Sequence, residues 1–421
     1  MQAKVGNRNQ FVDIMRGIAM LLVVLGHAMT GCTVDSQKSF LFNIVWSLQM
    51  PLFILISGYV TKYSRSVCDS KGLWKYVKRR TIAYMLPWAV WSFLVRGLIF
   101  GQYCFFNIKN LLWSMDSGYW FLATIWTISM VFGVASYLAE RNGKSSEIRK
   151  QVTLLLCYLA GMILLVAIGM VTGLSFFAIR LTLYYMPFYY AGYLYGQVDD
   201  RLLSTDKGKK VVDCGVAVCF AIWLFVILRF SLYEMSDSGL AIILRAATSL
   251  AGCIAVCGLC SGIFSEKSGE GYYVDRRAFS GSLHHTLPAA EFDKVGKHSY
   301  NLQSIRTGAG FDELLGDDIT CSTDYHGNRQ EQYIKVRTNW KEKLKTFFSW
   351  AGKCSLEIYM IHGFLLNIFE SSVPIQFSSI EGYLLTTGNF ALTIGICAIV
   401  IKLLNQNKLL KKILSIRQKE K

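Results

Sequence analysis

Long runs of apolar residues, broken at intervals by short polar and basic stretches, dominate the chain. Runs of membrane-crossing length recur at about 11–31, 39–60, 81–100, 118–138, 152–174, 176–197, 211–230, 239–264, 347–370 and 382–404. Ten transmembrane helices are therefore expected, and the fold class is all-α and polytopic. The stretch 265–346 breaks the pattern: it carries Gly, Asp and Arg throughout and has no apolar run long enough to span. We divide the chain into a core of spans 1–8 over 1–264, an insert over 265–346, and spans 9–10 with a basic tail over 347–421.

The polar connections fix an orientation. Lys4 and Arg8 precede the first span, Lys62, Arg65, Lys71, Lys75, Lys78, Arg79 and Arg80 follow the second, and Arg141, Lys144, Arg149 and Lys150 follow the fourth. The alternate connections, 32–38, 101–117, 231–238 and 371–381, hold only Lys38 and Lys109 as basic residues. Cytoplasmic loops collect Lys and Arg, so both termini and the insert are assigned to the cytoplasm, and the first run reads as a retained span rather than a cleaved leader.

Composition agrees with a membrane protein: 53% of residues are hydrophobic and 17% charged. The net charge of +16 sits largely in those loops, so topology accounts for it and nucleic acid is not an expected partner. Twelve cysteines are scattered singly and form no disulfide framework. Cys253, Cys257 and Cys260 share a helix face, where small residues at a helix contact explain them better than a metal. The insert histidines His284, His285, His298 and His326 stand at no recognised ligand spacing, so no metal is expected.

Ionisable residues inside the spans carry the candidate chemistry, because each is costly in a bilayer. The first span holds Asp13, Arg16 and His27. Arg16 and His27 are eleven residues apart, about three turns, and so share one stripe, with Asp13 within roughly 40° of it and placed to pair with Arg16. His362 sits in the ninth span at a matching depth, each histidine being about 23 Å from the cytoplasmic end, so two imidazoles can share one cavity. Lys78, Arg79 and Arg80 precede an apolar helix and suit a phosphorylated ligand, although membrane anchoring alone explains them as well. Arg180 opens a tyrosine-rich sixth span, whose Tyr184, Tyr189 and neighbours, with Trp120 of the fourth, suggest a polar wall able to stack on sugar rings. Pro51 and Gly58 in the second span would permit local irregularity of the backbone there.

FVDIMRGIAMLLVVLGH, SLQMPLFILISGY, KRRTIAYMLP, GYWFL, YYMPFYYAGYLYG and GKCSLEIYMIH follow one another along the chain. In these segments the sequence resembles acyltransferase family 3, the bacterial integral membrane O-acyltransferases, particularly the fucose 4-O-acetylase-like branch. The resemblance implies transfer of an acyl group, usually acetyl from acetyl-CoA, to a sugar hydroxyl of a glycan or lipid-linked precursor at the bacterial inner membrane. Acyl-CoA would be a donor substrate, with no permanently bound cofactor. Arg16 and His27 match the first-span motif, Arg80 the basic motif and His362 the late one. Two departures stand out: Ala83 replaces a second arginine that members often carry, and Gln49 replaces a histidine. The long insert is also outside the family pattern. His27 would act as general base, Arg16 paired to Asp13 would hold the stripe, Arg80 would meet CoA phosphates, and His362 would orient the acceptor or stabilise the oxyanion. A glycolipid transporter or flippase is the alternative for a many-helix protein with buried charge, but no internal repeat pairs the two halves.

An alkaline phosphatase fusion at Gly310 should be inactive, as the charge pattern places the insert in the cytoplasm. Strong periplasmic activity of that fusion would reverse the assigned orientation.

Overall fold

The computed structural model describes residues 10–64, 67–93, 101, 108–113, 119–142, 146–202, 205–264, 319–322, 333–336, 340–368 and 375–406. Contacts divide the chain into two units, Met1–Gly262 with Leu344–Lys421, and Ile263–Lys343. The described part of the second unit includes an antiparallel pair, β1 (Ile319–Ser322) and β2 (Tyr333–Val336), with Ile319 opposite Val336. The insert histidines lie outside the described residues.

The first unit is helical: α1 (Gln10–Cys32), α2 (Phe40–Tyr59), α3 (Ser70–Ala89), α4 (Ile108–Trp113), α5 (Trp120–Asn142), α6 (Glu147–Thr172), α7 (Ile179–Leu202), α8 (Asp206–Arg229), α9 (Gly239–Phe264), α10 (Trp340–Lys353), α11 (Ser355–Ile368) and α12 (Ile380–Gln406). Seven helices among the described residues are long and apolar enough to cross a membrane: α1, α2, α5, α6, α8, α9 and α12. The fold is thus all-α and polytopic. Three expected spans differ in form. The third begins earlier, at Ser70, as a basic helix capped by Asp69, whose carboxylate accepts from Gly72 N at 2.8 Å. The sixth is α7, with Arg180 near its start and tyrosines along it. The ninth is interrupted at Cys354 into α10 and α11.

Glycines set how these helices meet. A Cβ on Gly17 of α1 would overlap the Phe348 carbonyl of α10, and one on Gly352 of α10 would overlap the Asp13 carbonyl of α1. The two backbones touch with no side chain between them, as small residues in membrane helices allow. Gly58 of α2 and Gly192 of α7 repeat the arrangement, each lying against the other helix's carbonyls at Tyr189 and Leu55. Gly58 is therefore a packing residue. Pro51 introduces no break either, since α2 continues through it.

Polar side chains fasten α2 to α8. Asn43 Nδ2 donates to the Ile227 and Phe230 carbonyls at 3.2 and 2.9 Å, and its Oδ1 accepts from Leu232 N at 2.9 Å. Carbonyls left open at the end of α8 are satisfied from a neighbouring helix. One turn further along α2, Ser47 Oγ accepts from Trp223 Nε1 at 3.0 Å. The apolar outer faces of α6, α8 and α12, including Ile163, Met170, Phe225 and Leu384, are exposed and suit lipid.

Gly352→Ala should lower stability by about 2 kcal/mol or more, because the added methyl meets backbone that cannot rotate away. Gly395→Ala, where a Cβ meets nothing within 4 Å, should be neutral or slightly stabilising. Melting curves of both variants in one detergent check this, and equal melting temperatures would remove the contact from its organising role.

Candidate active site

The close contact of α1 with α10 fixes what happens further along both helices. Gly17 precedes His27 by ten residues, and Gly352 precedes His362 by ten. The two helices run side by side in the same direction, so equal offsets bring the imidazoles together. Their ring centroids are 5.4 Å apart, with planes inclined at 46°.

The two histidines have different surroundings. His362 is buried, and its Nδ1 donates to the Ile358 carbonyl at 3.0 Å. A carbonyl can only accept, so the neutral ring carries its proton on Nδ1 and keeps the Nε2 lone pair. His27 is exposed on α1. Gln49 of α2 packs against the preceding residue of α1, where a Cβ on Gly26 would come within 2.9 Å of Gln49 Oε1.

Tyr359, three residues before His362, extends the site inward, with its ring centroid 5.7 Å from that imidazole. Phe121 and Tyr119 pack around Tyr359 at 5.7 and 5.9 Å, and Tyr119 Oη donates to the Met360 carbonyl at 3.2 Å. Tyr359 and Phe121 also line a cavity of ≈ 180 Å³, whose wall includes Arg16, Met20, Tyr84 and Ser355. The walls are mostly apolar with a few polar groups, as ligand cavities commonly are. Arg16 thus faces the same cavity that Tyr359 joins to the histidines. Asp13, one turn before Arg16, is buried.

Arg80 stands behind Tyr84. Its Nη1 donates to Tyr84 Oη at 3.1 Å, and the guanidinium carbon lies 5.4 Å from the Tyr76 ring centroid. Its Nε is buried with no hydrogen-bond partner. The groups that act on it most strongly are Tyr84, Tyr76 and Tyr189, none of them a carboxylate. Hydroxyls and aromatic rings accept from or stack on a guanidinium without cancelling its charge. Lys78 and Arg79 are exposed and take no part in this cluster.

The aromatic residues expected to form a sugar-binding wall are placed differently. Tyr189 is 1% exposed within a core that includes Phe132, Tyr158 and Tyr193. Tyr158 Oη donates to the Met186 carbonyl at 3.0 Å, and Tyr193 Oη to Gln151 Oε1 at 2.9 Å. Much of the α7 tyrosine run therefore joins helices together. Tyr184 sits at the edge of that core. Trp120 stacks on Tyr185 at 5.8 Å, and Arg180 is exposed near the start of α7. Sequence reasoning missed Tyr359 and Tyr119. Spacing offered one signal, since Tyr359 and His362 stand at i and i+3 and so share a helix face.

Comparison with known proteins covers the same helices. The sequence model of the acyltransferase domain family (Acyl_transf_3) matches residues 9–267. Nodulation protein NolL of Sinorhizobium fredii is 25% identical over 232 residues, covering 52% of this chain and 57% of that protein. NolL of Mesorhizobium japonicum is 26% identical over 235 residues, covering 52% and 58%. The chain thus spans little more than half the length of these curated relatives. No solved structure matches the chain. With well over half of its length inside the family match, and with His27, Arg16 and Arg80 all within that match, this chain belongs to the acyltransferase domain family.

Proposed function

We propose that the protein is a membrane O-acyltransferase that moves an acyl group, acetyl in the first instance, from acyl-CoA to a hydroxyl of a glycan or its lipid-linked precursor. The observation that carries this reading is the His27–His362 pair, set beside the aromatic end of a cavity that Arg16 also lines. Arg80, with an unpartnered Nε and no carboxylate among its main neighbours, would take a phosphate of the donor. The charge pattern puts that end in the cytoplasm of a bacterial inner membrane, where acyl-CoA is made.

In the reaction, the acceptor hydroxyl gives its proton to neutral His27 as its oxygen attacks the thioester carbonyl. The tetrahedral intermediate then collapses, the carbon–sulfur bond breaks, and the CoA thiolate takes the proton back from the imidazolium. His362, fixed by the Ile358 carbonyl, holds the second ring in place to orient the acceptor or the water that bridges to it. Arg16, which lines the cavity, would place its guanidinium where charge develops on the carbonyl oxygen, with Asp13 one turn away to hold it in position.

Purified protein in detergent should release free CoA thiol from acetyl-CoA when supplied with an oligosaccharide acceptor, a condition in which transport has no meaning. Absence of thiol release, together with unchanged glycan mass in cells lacking the protein, would remove the enzyme reading.

His27→Ala should cut turnover by about 10²-fold or more while the protein melts normally, because the ring is exposed. His362→Ala should differ, costing roughly 1–3 kcal/mol of stability as well, since it removes a buried ring together with its hydrogen bond to the Ile358 carbonyl. Turnover and melting temperature measured on the same samples separate the two roles.

Arg80→Ala should weaken acetyl-CoA binding about tenfold or more, and Arg79→Ala far less, as only Arg80 faces the tyrosine cluster. Equal losses by calorimetry would point to general basic attraction instead.

A further inference from the structure

A second arginine lies inside the bundle, apart from the site described above. Arg245 is six residues into α9, about 9 Å from the end assigned to the outside. Basic residues are scarce on that side, where loops 32–38, 101–117, 231–238 and 371–381 supply only two, so membrane anchoring does not account for it. Its side chain is 15% exposed. Nη2 donates to the Ser236 carbonyl and to Asp237 Oδ1, both at 3.0 Å, while Nε is buried with no hydrogen-bond partner. Tyr184 of α7 is within electrostatic reach of the guanidinium.

The Nε–Nη2 edge of a guanidinium is the fork that grips two oxygens of one phosphate. Here one tine holds the loop and the other is unused. The counter-ion on the occupied tine is weakly held, because the Asp237 side chain is 80% exposed and an exposed carboxylate gains little from such a pair. A phosphate carries more charge and more acceptor oxygens than that carboxylate, so it can displace Asp237 and use both tines. The depth of Arg245 favours a headgroup that arrives along the membrane over a soluble anion. The α9 helix packs at Gly252 against Trp223 of α8 and Leu48 of α2.

We propose that Arg245 binds the phosphate of a lipid-linked sugar acceptor, with Asp237 as a displaceable placeholder and Tyr184 as a flanking hydroxyl. The proposal rests on the O-acyltransferase reading for its biological meaning, but its test uses no acyl donor. Full-length protein in nanodiscs is titrated with undecaprenyl phosphate, with inorganic phosphate and with a soluble nucleotide sugar, and binding is followed by native mass spectrometry. The lipid phosphate is expected to bind most tightly. Arg245→Gln should weaken it roughly tenfold or more, Arg245→Lys should recover part of the loss, and Asp237→Asn should tighten it several-fold by removing the competing carboxylate. The Asp237→Asn result keeps the test decisive if Arg245→Gln folds poorly, because a mere loop clamp predicts that Asp237→Asn leaves lipid binding unchanged and lowers the melting temperature. That outcome overturns the proposal, as does binding of inorganic phosphate or the nucleotide sugar as tight as that of the lipid. Absence of acetyl-CoA turnover in the wild-type protein would instead count against the enzyme reading and leave the lipid titration readable.

Discussion

The backbone contact between Gly17 and Gly352 is the constraint on which the site depends. Lipid tails are as apolar as leucine side chains, so membrane helices gain little by hiding apolar surface from one another and associate through close packing instead. Two glycines let α1 and α10 approach until each carbonyl ladder faces the other's bare Cα. Once that point is fixed, residues at equal offsets along the two helices share a depth. His27 and His362 are ten residues beyond it on each side, and a shift of one residue in either helix would turn one ring away by about 100°. The interruption at Cys354 falls between the glycine and the histidine of the ninth segment without ending the hydrogen-bonding path, since Cys354 N bonds the Trp350 carbonyl and Ile358 N bonds the Cys354 carbonyl.

Buried cations are the second organising cost. Each removes a strongly hydrated group from water and has to be repaid by local partners. The protein meets this cost in different ways. Arg80 sits among tyrosine rings and hydroxyls, which moderate its charge without neutralising it, so its attraction for an anion survives. Arg245 has a carboxylate partner, but an exposed one on a loop. Asn43, which is neutral, is bonded on both its oxygen and its nitrogen. Asn43 is thus fully satisfied, whereas Arg80 and Arg245 each keep a buried Nε with no hydrogen-bond partner.

Much of this was legible in the sequence. Long apolar runs marked the helices, and the spacing of Arg16 and His27 put them on one stripe. Matched depth anticipated the meeting of His27 and His362, although depth alone does not make two helices neighbours. The missing step was the pair of glycines ten residues before each histidine, a repeat visible in the sequence but without meaning until the helices are known to touch. The tyrosines of α7 misled because an aromatic ring with a hydroxyl serves a cavity wall and a helix contact equally well. Which it does depends on whether the hydroxyl finds a carbonyl, as Tyr158 does at Met186. Arg245 escaped notice because it lies inside an apolar run, where a loop-by-loop count of charge does not look.

The insert differs from the rest in physical kind. A membrane helix is specified by its solvent: every backbone group must be bonded internally, so a long apolar run has few alternatives to a helix. The polar stretch 265–346 has no apolar run of membrane length, so apolar patterning, which describes the bundle closely, says little about it. The antiparallel pair β1 and β2 is what an aqueous segment can form where short runs such as Ile319–Ser322 and Tyr333–Val336 combine β-branched or aromatic residues with polar ones.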